Sequence, residues 1–311
     1  SSDVCSSDLL LLVISEYPIL EGTMEKQPVL GIIGGSGLYA FQGLEDVESL
    51  DMDTPFGKPS APIVLGTLKG KTVAFLARHG IGHWISPSEI NYRANIYAFK
   101  MLGVHQIVSI SACGSLREDY SPGHIVIPDQ IVDFTRGRAG SFFSDGLVVH
   151  ISPGNPFCPD LSNQLLAAAR ETQAIIHKGG TLITIEGPRF STRGESNLFR
   201  SWGISIIGMT AVPEAFLARE AEICYATMAH VTDYDVWHTS EEPVSVEMVI
   251  RTLQHNTEIA QETILNLVDI VTTPTECDCP RALQNAIITS PDAIPEPTRQ
   301  KLDILVNKYL H

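Results

Sequence analysis

Short apolar runs rich in valine and isoleucine alternate with segments of helical periodicity along this chain, and this alternation constrains the fold more than any other feature. Val29–Ile33, Gln106–Ile110 and Cys224–His230 have the length and composition of buried strands. Leu161–Thr172 and Ser245–Val271 show the apolar spacing that is typical of helices. Because strands alternate with helices, we predict an α/β fold: a single domain with a central mixed β-sheet flanked by helices.

Glycine, proline and capping residues divide the rest of the chain into further elements. Two short runs on either side of Lys69–Lys71 predict a hairpin, and a helix is predicted from Pro87 to Leu102 with Gly103 as its stop. The other predicted elements are the strands Ile63–Gly66, Thr72–Ala77, His124–Ile127, Leu182–Ile185 and Ser205–Ile207 and the helices Thr192–Trp202, Val212–Ala221 and Glu296–Tyr309.

The first 23 residues are interpreted as a leader that is foreign to the domain. Ser1–Leu9 repeats itself like a translated linker, and Met24 is the expected native start. The apolar run Leu9–Ile14 is much shorter than the about 20 residues that span a bilayer, and it lacks the basic flank of a signal peptide. We therefore expect a non-native or disordered leader over 1–23, a single domain over 24–311, and a cytoplasmic protein.

The acidic composition limits the partners of the chain. It has 21 Lys and Arg residues against 36 Asp and Glu residues, which gives a formal net charge of −15 at pH 7. Such a body repels nucleic acids and anionic membranes, so neither is expected as a partner. A phosphate-bearing substrate must then be held by local donors.

Six cysteines are scattered without a regular framework, as in proteins that keep their thiols reduced. Cys277 and Cys279 are the one closely spaced pair. As zinc ligands they lack a second pair at the usual spacing. A strained disulfide or two free thiols is the preferred interpretation, and no metal is predicted.

The glycine-rich turn Gly34-Gly35-Ser36-Gly37 follows the first predicted strand. Backbone N–H groups in such a turn can surround a phosphate, and Ser36 adds a hydroxyl. The glycines also satisfy a loose dinucleotide-binding pattern, although a hairpin follows where that fold needs a helix. A tight turn with positive φ remains the other interpretation.

Arg78 and His79 stand at the end of another predicted strand, where ligands collect in α/β sheets. The Arg fork suits phosphate oxygens, and the His can add a donor. Taken alone, the pair favours a structural ion pair instead. Ser111–Ser115 also follows a strand and permits close approach to a ligand, and its Cys113 is expected to be a buried structural thiol.

Two carboxylates, Asp233 and Asp235, follow the last buried strand of this set. They can read the polar edge of a heterocycle whose face stacks on Phe190. An exposed acidic turn is the alternative, since the register of a calcium loop is missing.

Six segments occur in one order between about Val29 and Val271: GGSG, RHG, SACGSLRE, TIEGPRFSTR, MTAVPE and TDYD. Together they resemble the purine nucleoside phosphorylase family, and within it the branch that cleaves methylthioadenosine. The resemblance implies a pentosyltransferase of purine and methionine salvage that converts S-methyl-5′-thioadenosine and phosphate to adenine and 5-methylthioribose 1-phosphate. It implies no cofactor, phosphate as a co-substrate, and a homotrimer or homohexamer in which a neighbouring subunit completes the site.

The resemblance also assigns residues to each part of the site. Phosphate is expected at Ser36, Arg78, His79, Ser111, Ala112 and Thr210. The nucleoside is expected at Phe190, Ser191, Met209, Asp233, Asp235, His150, Val246 and Val249, of which the last three line the 5′ pocket. Asp233 and Asp235 are expected to be catalytic, with Asp233 supplying a proton to purine N7. The tail from Cys277 to His311 resembles microbial members that suggest a hexamer and a Cys158–Cys224 disulfide.

Three other functions stay open. A phosphorylase of 6-oxopurine nucleosides or methylthioinosine differs in its base-reading residues, and the two carboxylates favour a 6-aminopurine because they accept from its amino group. A non-catalytic nucleotide-binding protein would use the glycine turn for a dinucleotide. A hydrolase is disfavoured, since no G-x-S-x-G nucleophile motif is present.

Overall fold

The computed structural model describes residues 27–35, 41, 43–239, 245–272 and 277–310. The predicted leader over 1–23 lies outside the described residues. In the described part of the chain, eleven strands form one sheet with helices on both faces.

Four parallel strands form the centre of the sheet. They are β1 (Leu30–Gly34), β4 (Lys71–Ala77), β5 (Gln106–Ser115) and β11 (Cys224–Asp233). β1 lies between β4 and β5, and β5 pairs with β11 on its other side. Their continuous apolar runs suit strands that are covered on both faces. Because the four are parallel, their carboxyl ends meet at one edge of the sheet.

Antiparallel and shorter strands extend this centre, which confirms the prediction of a mixed sheet. They are β2 (Glu45–Leu50), β3 (Ile63–Leu68), β6 (Ile125–Ile127), β7 (Gln130–Phe134), β8 (Ile176–Lys178), β9 (Thr181–Ile185) and β10 (Ile206–Gly208). β3 and β4 form the predicted hairpin, with Lys69 and Gly70 at positive φ in its turn. β10 runs antiparallel to the end of β5 and parallel to β9.

Three strands were not predicted from the sequence, and each absence has a physical reason. β2 is an exposed edge strand that begins with Glu45 and Asp46, so it has no apolar pattern. β7 is half-exposed, and β8 has three residues, which is too short for a period to show.

Seven α-helices occur among the described residues. They are α1 (Tyr92–Met101), α2 (Pro159–Arg170), α3 (Arg193–Ser201), α4 (Ala211–Glu220), α5 (Val246–Ile270), α6 (Glu296–Lys301) and α7 (Asp303–Val306). Short 3₁₀ turns lie at Cys279–Arg281, Pro291–Ala293 and Asn307–Tyr309. In the described part of the chain, no helix is long and apolar enough to cross a bilayer.

Two predicted helix boundaries were wrong. α1 begins at Tyr92 and not at Pro87, because Asn91 caps it by accepting from the Ala94 N–H at 3.2 Å. The predicted helix over Glu296–Tyr309 breaks at Leu302, whose φ of −110° is not helical. By contrast, Thr192 forms a capping box at the start of α3, where the sequence places it.

The helices cover the two faces of the sheet with separate apolar clusters. On one face α1, α4 and the C-terminal helices pack together, with Tyr97 and Leu217 buried among them. On the other face α2 and α5 pack on β11, with Leu165 and Ile264 wholly buried. The edge that holds the carboxyl ends of the parallel strands carries the candidate site.

Candidate active site

The ends of the parallel strands bring the predicted motifs together. The Arg78 N–H donates to the Gly34 carbonyl at 3.0 Å, which joins the end of β4 to the end of β1. In β5, Ala112 pairs with His230 of β11, and Gly114 pairs with Asp233 two residues further along. The predicted phosphate ligand Ser36 lies outside the described residues.

Arg78 is held by a buried ion pair. Its side chain is 2 % exposed, and its Nε and Nη2 both lie 2.9 Å from the carboxylate of Glu214 in α4. Nη2 also donates to Ser109 Oγ at 2.6 Å, and Nη1 donates to the Ile110 carbonyl at 3.1 Å. Burial alone would lower the pKa of Arg78, but the charge of Glu214 raises it above its ordinary value. The structural ion pair that the motif alone favours is therefore present.

The same ion pair limits how Arg78 can bind an anion. Tyr225 donates to Glu214 at 2.7 Å, so the carboxylate is fixed from two sides. Among the described residues, Nη1 has the Ile110 carbonyl as its one partner, which leaves a second N–H for a ligand. The guanidinium is oriented before a ligand arrives, as an anion site needs.

His79 is neutral at pH 7 and keeps one ring nitrogen for a ligand. Nδ1 lies 2.9 Å from the Ile85 carbonyl, and a carbonyl can only accept, so Nδ1 carries the proton. Burial, with help from Arg78, lowers the pKa of His79 to about 4. The ring stacks on His83 with centroids 4.2 Å apart. Nε2 is therefore an acceptor and not the donor expected from sequence, and it suits the P–OH group of hydrogen phosphate.

Asp233 is a buried carboxyl that can hold a proton. It is 3 % exposed, and it accepts from Thr232 Oγ1 at 2.7 Å and from the Asp235 N–H at 2.7 Å. Burial raises the pKa of Asp233 to about 6, although these two donors pull it down. The alternative of an exposed acidic turn is wrong for this segment, because Asp235 is also only 5 % exposed.

Polar atoms without a well-formed hydrogen bond collect around Asp235. Burial raises its pKa, and the hydroxyls of Ser196 and Ser191, which face it, offset part of the rise. Within the described residues, Oδ2 of Asp235 and both serine Oγ atoms face each other without a well-formed hydrogen bond. Leaving a buried polar group unpaired costs about 1–3 kcal/mol, so this set is suited to a ligand with a polar edge.

Gly114 provides the space in which the two carboxylates sit. A Cβ on Gly114 would lie 2.9 Å from Asp233 Oδ1, 3.0 Å from Ile207 Cγ2 and 3.3 Å from the Asp235 Cβ. Its neighbour Cys113 is 3 % exposed, and burial raises the pKa of that thiol well above its ordinary value. The described geometry therefore favours a structural thiol at Cys113.

Arg138 links the loops that carry the predicted nucleoside-binding residues, and the sequence analysis did not identify it. Its guanidinium donates to the carbonyls of Met209 at 2.8 Å, Val212 at 2.6 Å and Glu186 at 2.6 Å. It also pairs with the Glu186 carboxylate at 3.1 Å. Arg138 lies in no recognisable motif, so no sequence signal identifies it. Glu214 was within the MTAVPE segment, but its partner lies 136 residues away.

Met209 and Thr210 lie between β10 and α4, beside the phosphate and base groups. Thr210 directly precedes α4 and is 7 % exposed, and the backbone at Val212 is not helical, so the regular part of α4 begins after that residue. A Cβ on Gly187 would lie 2.6 Å from Met209 Sδ, which places the loop after β9 against Met209. The N-terminus of α4 therefore faces the same edge as the ends of β5 and β11.

An open cleft of about 270 Å³ lies beside the carboxylates. Its lining residues are Phe134, Arg136, Ile185, Glu186, Gly187, Arg189, Ser191 and Glu195. It shares Ser191 with the site, but neither Asp233 nor Asp235 lines it. Phe190, half-buried, lies in the same loop as Ser191. The arrangement of side chains, rather than this cleft, therefore defines the candidate site.

Two predicted nucleoside ligands, His150 and Val246, are not brought into this cluster. His150 is exposed, and its N–H donates to the Ala286 carbonyl at 2.8 Å in the C-terminal part of the chain. Val246, at the start of α5, is 64 % exposed. The Val249 side chain lies outside the described residues.

Known proteins are similar to this chain over most of its length. Residues 29–269 match the family model of the phosphorylase superfamily. A protein of Geobacter sulfurreducens named S-methyl-5′-thioadenosine phosphorylase is 53 % identical over 285 residues, which cover 91 % of this chain and all of the relative.

Two solved structures share the fold. One is a methylthioadenosine phosphorylase from an antarctic soil metagenomic library, with a TM-score of 0.86 and 46 % identity over 90 % of this chain and 100 % of the other. Another is methylthioadenosine phosphorylase from Schistosoma mansoni in complex with adenine, with a TM-score of 0.75 and 37 % identity over 83 % of this chain and 96 % of the other.

Proposed function

The chain belongs to the phosphorylase superfamily, and from that premise we propose that it cleaves S-methyl-5′-thioadenosine with phosphate to adenine and 5-methylthioribose 1-phosphate. One observation carries the proposal. A buried carboxyl that can hold a proton, Asp233, lies beside the unpaired acceptor of Asp235, at the sheet edge that also carries Arg78 and His79. Relatives named for this activity cover nearly the whole chain.

Phosphate would bind at the ends of β1, β4 and β5. Arg78, paired with Glu214, supplies a fixed N–H donor on Nη1, and Ser111 and Ala112 lie in β5 on the same edge. We assign Ser36 and Thr210 to the same site by the family resemblance. His79 accepts from the P–OH group, which orients hydrogen phosphate so that an unprotonated oxygen points at the sugar. The co-substrate is inorganic phosphate, and the reaction calls for no other cofactor.

The base would bind over Asp233 and Asp235. A carboxylate accepts well from the amino group of a 6-aminopurine, and Ser191 offers a hydroxyl that needs a partner. Phe190 would pack on the purine face, and Met209 on the ribose. A phosphorylase of 6-oxopurine nucleosides needs a donor at the position where these carboxylates accept.

The bond changes balance without any further reactant. A phosphate oxygen bonds to C1′ of the sugar as the C1′–N9 bond breaks, and the electron pair of that bond goes to the purine. Asp233 delivers a proton to N7, which neutralises the leaving base. The proton that hydrogen phosphate brings is released as the sugar phosphate forms, and it replaces the one that Asp233 gave up. Fixed donors and positioning contribute most of the rate.

We further propose that the 5′ pocket is completed by a neighbouring subunit. His150 is exposed, and exposed apolar side chains surround it at Val148 (48 %) and Ile288 (63 %). Exposed Ile81 (67 %) and Trp84 (74 %) lie near His79. Two such surfaces on one chain suit an oligomer with a head-to-tail interface. A trimer or hexamer would bring a neighbour's His150 to Val246 and Val249.

Exchange of one carboxylate tests the assignment of the base site. Asp233→Asn cannot donate a proton at N7 as a carboxylic acid does, and its amide donates to a 6-oxo group. We expect kcat/KM for methylthioadenosine to fall by about 10²-fold or more, with a relative gain for inosine. The readout is kcat/KM for methylthioadenosine, adenosine and inosine, with exposed Asp292→Asn as a matched control. Full activity on methylthioadenosine with no gain on inosine contradicts the role of Asp233.

A further inference from the structure

Four cysteine side chains from separate parts of the chain meet where β11 begins. The Sγ atoms of Cys158, Cys224, Cys277 and Cys279 all lie within 4.8 Å of one another. The Sγ atoms of Cys224 and Cys277 are 3.4 Å apart. Cys158, Cys224 and Cys279 are buried, and Cys277 is half-buried. The proposed phosphorolysis uses none of them.

The backbone holds these thiols in place through three separate elements. Cys158 stands directly before α2, and its N–H donates to the Tyr225 carbonyl at 2.8 Å. Cys224 is the first residue of β11, and its N–H donates to the His105 carbonyl at 2.9 Å. Cys277 and Cys279 follow α5, at the start of a 3₁₀ turn. The sequence shows only the C-x-C pair, since the other two ligands come from distant positions.

We propose that Cys158, Cys224, Cys277 and Cys279 form a structural zinc site. A tetrahedral zinc ion has four sulfur ligands at about 2.3 Å, which places neighbouring sulfurs about 3.8 Å apart. The observed cluster, between 3.4 and 4.8 Å, spans that value. Four protein ligands leave no open position, so the site is structural and not catalytic. The sequence analysis predicts no metal, since the four proposed ligands are distant in sequence and only Cys277 and Cys279 are close together.

The donor set favours zinc over other occupants. Four thiolates in a tetrahedron select zinc or iron. A cluster with several irons needs its cysteine sulfurs further apart than 4.8 Å, because the irons and the sulfides between them occupy that space. In the structure all four residues are free thiols, and 3.4 Å is far longer than the about 2.05 Å of a disulfide.

The surroundings suit a buried anionic centre. Zinc with four thiolates carries two negative charges, which need compensation when buried. Arg219, 8 % exposed at the end of α4, acts electrostatically on Cys279 and donates to the Asn155 carbonyl at 2.6 Å. Cys158 lies at the N-terminus of α2, where the helix dipole favours negative charge. Each thiol that ligates zinc releases its proton to solvent.

The proposed zinc would fix the C-terminal segment to the sheet. The described residues 277–310 supply Leu283, Ile294, Leu302 and Leu305 to the core on the opposite face from α2. The same segment pairs with His150 through Ala286. Metal binding at Cys277 and Cys279 would therefore stabilise the segment that positions His150.

Metal content and coordination test the site on the full-length chain. The protein is purified with a reductant and without chelator, and zinc is measured by elemental analysis. X-ray absorption at the zinc edge then identifies the ligand atoms and their distances. Substitution with Co²⁺ gives visible d–d absorption bands and sulfur-to-cobalt charge-transfer bands, which report thiolate ligands. Cys277→Ser and Cys279→Ser remove ligands, and Cys113→Ser is the matched control for metal content, because Cys113 is buried elsewhere.

The proposal expects about one zinc ion per chain, bound by four sulfurs at about 2.3 Å. The Cys113→Ser variant keeps this zinc content. Each ligand variant loses more Co²⁺ affinity than the about 10–100-fold that the loss of an outer-shell partner causes. Reduced protein that takes up neither zinc nor Co²⁺ overturns the site, whether its cysteines are then free or re-form disulfides. Unchanged metal content in both ligand variants also overturns it. The coordination measured on the unsubstituted protein decides the case even if the variants do not fold.

Discussion

Burial determines the chemistry of single carboxyl groups in this protein. Asp233 and Glu220 are both nearly inaccessible to solvent, and burial raises the pKa of each. In Asp233 the raised pKa, about 6, brings protonation of the carboxyl closer to neutral pH, which suits proton transfer to the departing base. In Glu220, which accepts from Ser141 Oγ and the Phe142 N–H at 2.8 Å, the same effect bears on stability.

Glu220 gives a prediction about stability and pH. Burial raises its pKa from 4.5 to about 7. Because the folded pKa is the higher one, its contribution to the free energy of unfolding is fully present below about pH 4.5 and is lost as pH rises through 7. Linkage puts this loss at about 3 kcal/mol. Chemical denaturation of Glu220→Gln between pH 4.5 and 8 should show a smaller decline than the unsubstituted protein.

Glu171→Gln is the matched control for Glu220, because Glu171 is exposed at the end of α2. Its stability should follow the pH dependence of the unsubstituted protein. Asp233 and Asp235 also have raised pKa values, so the informative quantity is the difference between the Glu220 variant and its control. Identical pH dependence in both variants would mean that Glu220 is ionised in the folded state throughout.

The sequence predicts the identity of several site residues but not their partners. The family resemblance, and not the motifs alone, assigns Asp233, Asp235, Arg78 and His79 to the site, and each of their motifs stands at or after the end of a predicted strand. The proton on Nδ1 of His79 and the ion pair of Arg78 are not predictable, since they depend on partners brought in by the fold.

At the scale of elements, the close approach of β5, β10 and β11 defines the base site. Gly114 of β5 faces Asp233 of β11 and Ile207 of β10 with no room for a side chain. Sequence patterns identify these strands, but not their neighbours in the sheet. A glycine in a strand indicates close backbone contact without naming the partner.

Gly114→Ala tests that packing. The new methyl group would lie 2.9 Å from Asp233 Oδ1, so the carboxyl has to shift. We expect kcat/KM for methylthioadenosine to fall at least about 10-fold, with a stability cost of about 1–3 kcal/mol from overpacking. Steady-state kinetics and chemical denaturation give both values. Gly154→Ala, where a Cβ has no neighbour within 4 Å, is the matched control, and equal kinetics of the two variants would contradict the assigned role of Gly114.

Element boundaries show where sequence reasoning failed. The central strands were predicted because burial on both faces leaves a continuous apolar run. The exposed edge strand β2 has no such run, and α1 begins where Asn91 caps it rather than at Pro87. The cysteine cluster joins β11, α2 and the turn after α5, so no local spacing contains it.

At the scale of the whole molecule, strong acidity and anion binding are compatible. The chain has a formal net charge of −15, and Arg78 at the sheet edge is buried and paired with Glu214, so it offers a fixed N–H donor to a small anion. Bulk charge acts over the surface and is screened by salt, whereas a buried donor acts at close range. The acidity therefore disfavours polyanions without excluding a small anion that fits the site.

The exposed position of His150 leads to a prediction about assembly. If a neighbour's His150 completes each site, then His150→Ala and Asp233→Asn chains are each weakly active alone. Mixed oligomers would contain sites with Asp233 from one chain and His150 from the other. We expect co-expression of the two variants to restore a measurable fraction of kcat/KM for methylthioadenosine. Mixed oligomers, confirmed by differential tags, that stay as inactive as the separate variants would place His150 outside the neighbouring site.

Dependence on phosphate tests the central proposal most directly. Adenine release from methylthioadenosine is measured in phosphate-free buffer and with increasing inorganic phosphate, and the sugar product is identified by ³¹P NMR. Phosphorolysis predicts negligible release without phosphate, a saturable rise with phosphate, and one 5-methylthioribose 1-phosphate for each adenine. Adenine release at the same rate without phosphate, with free methylthioribose as the product, would contradict the proposed function.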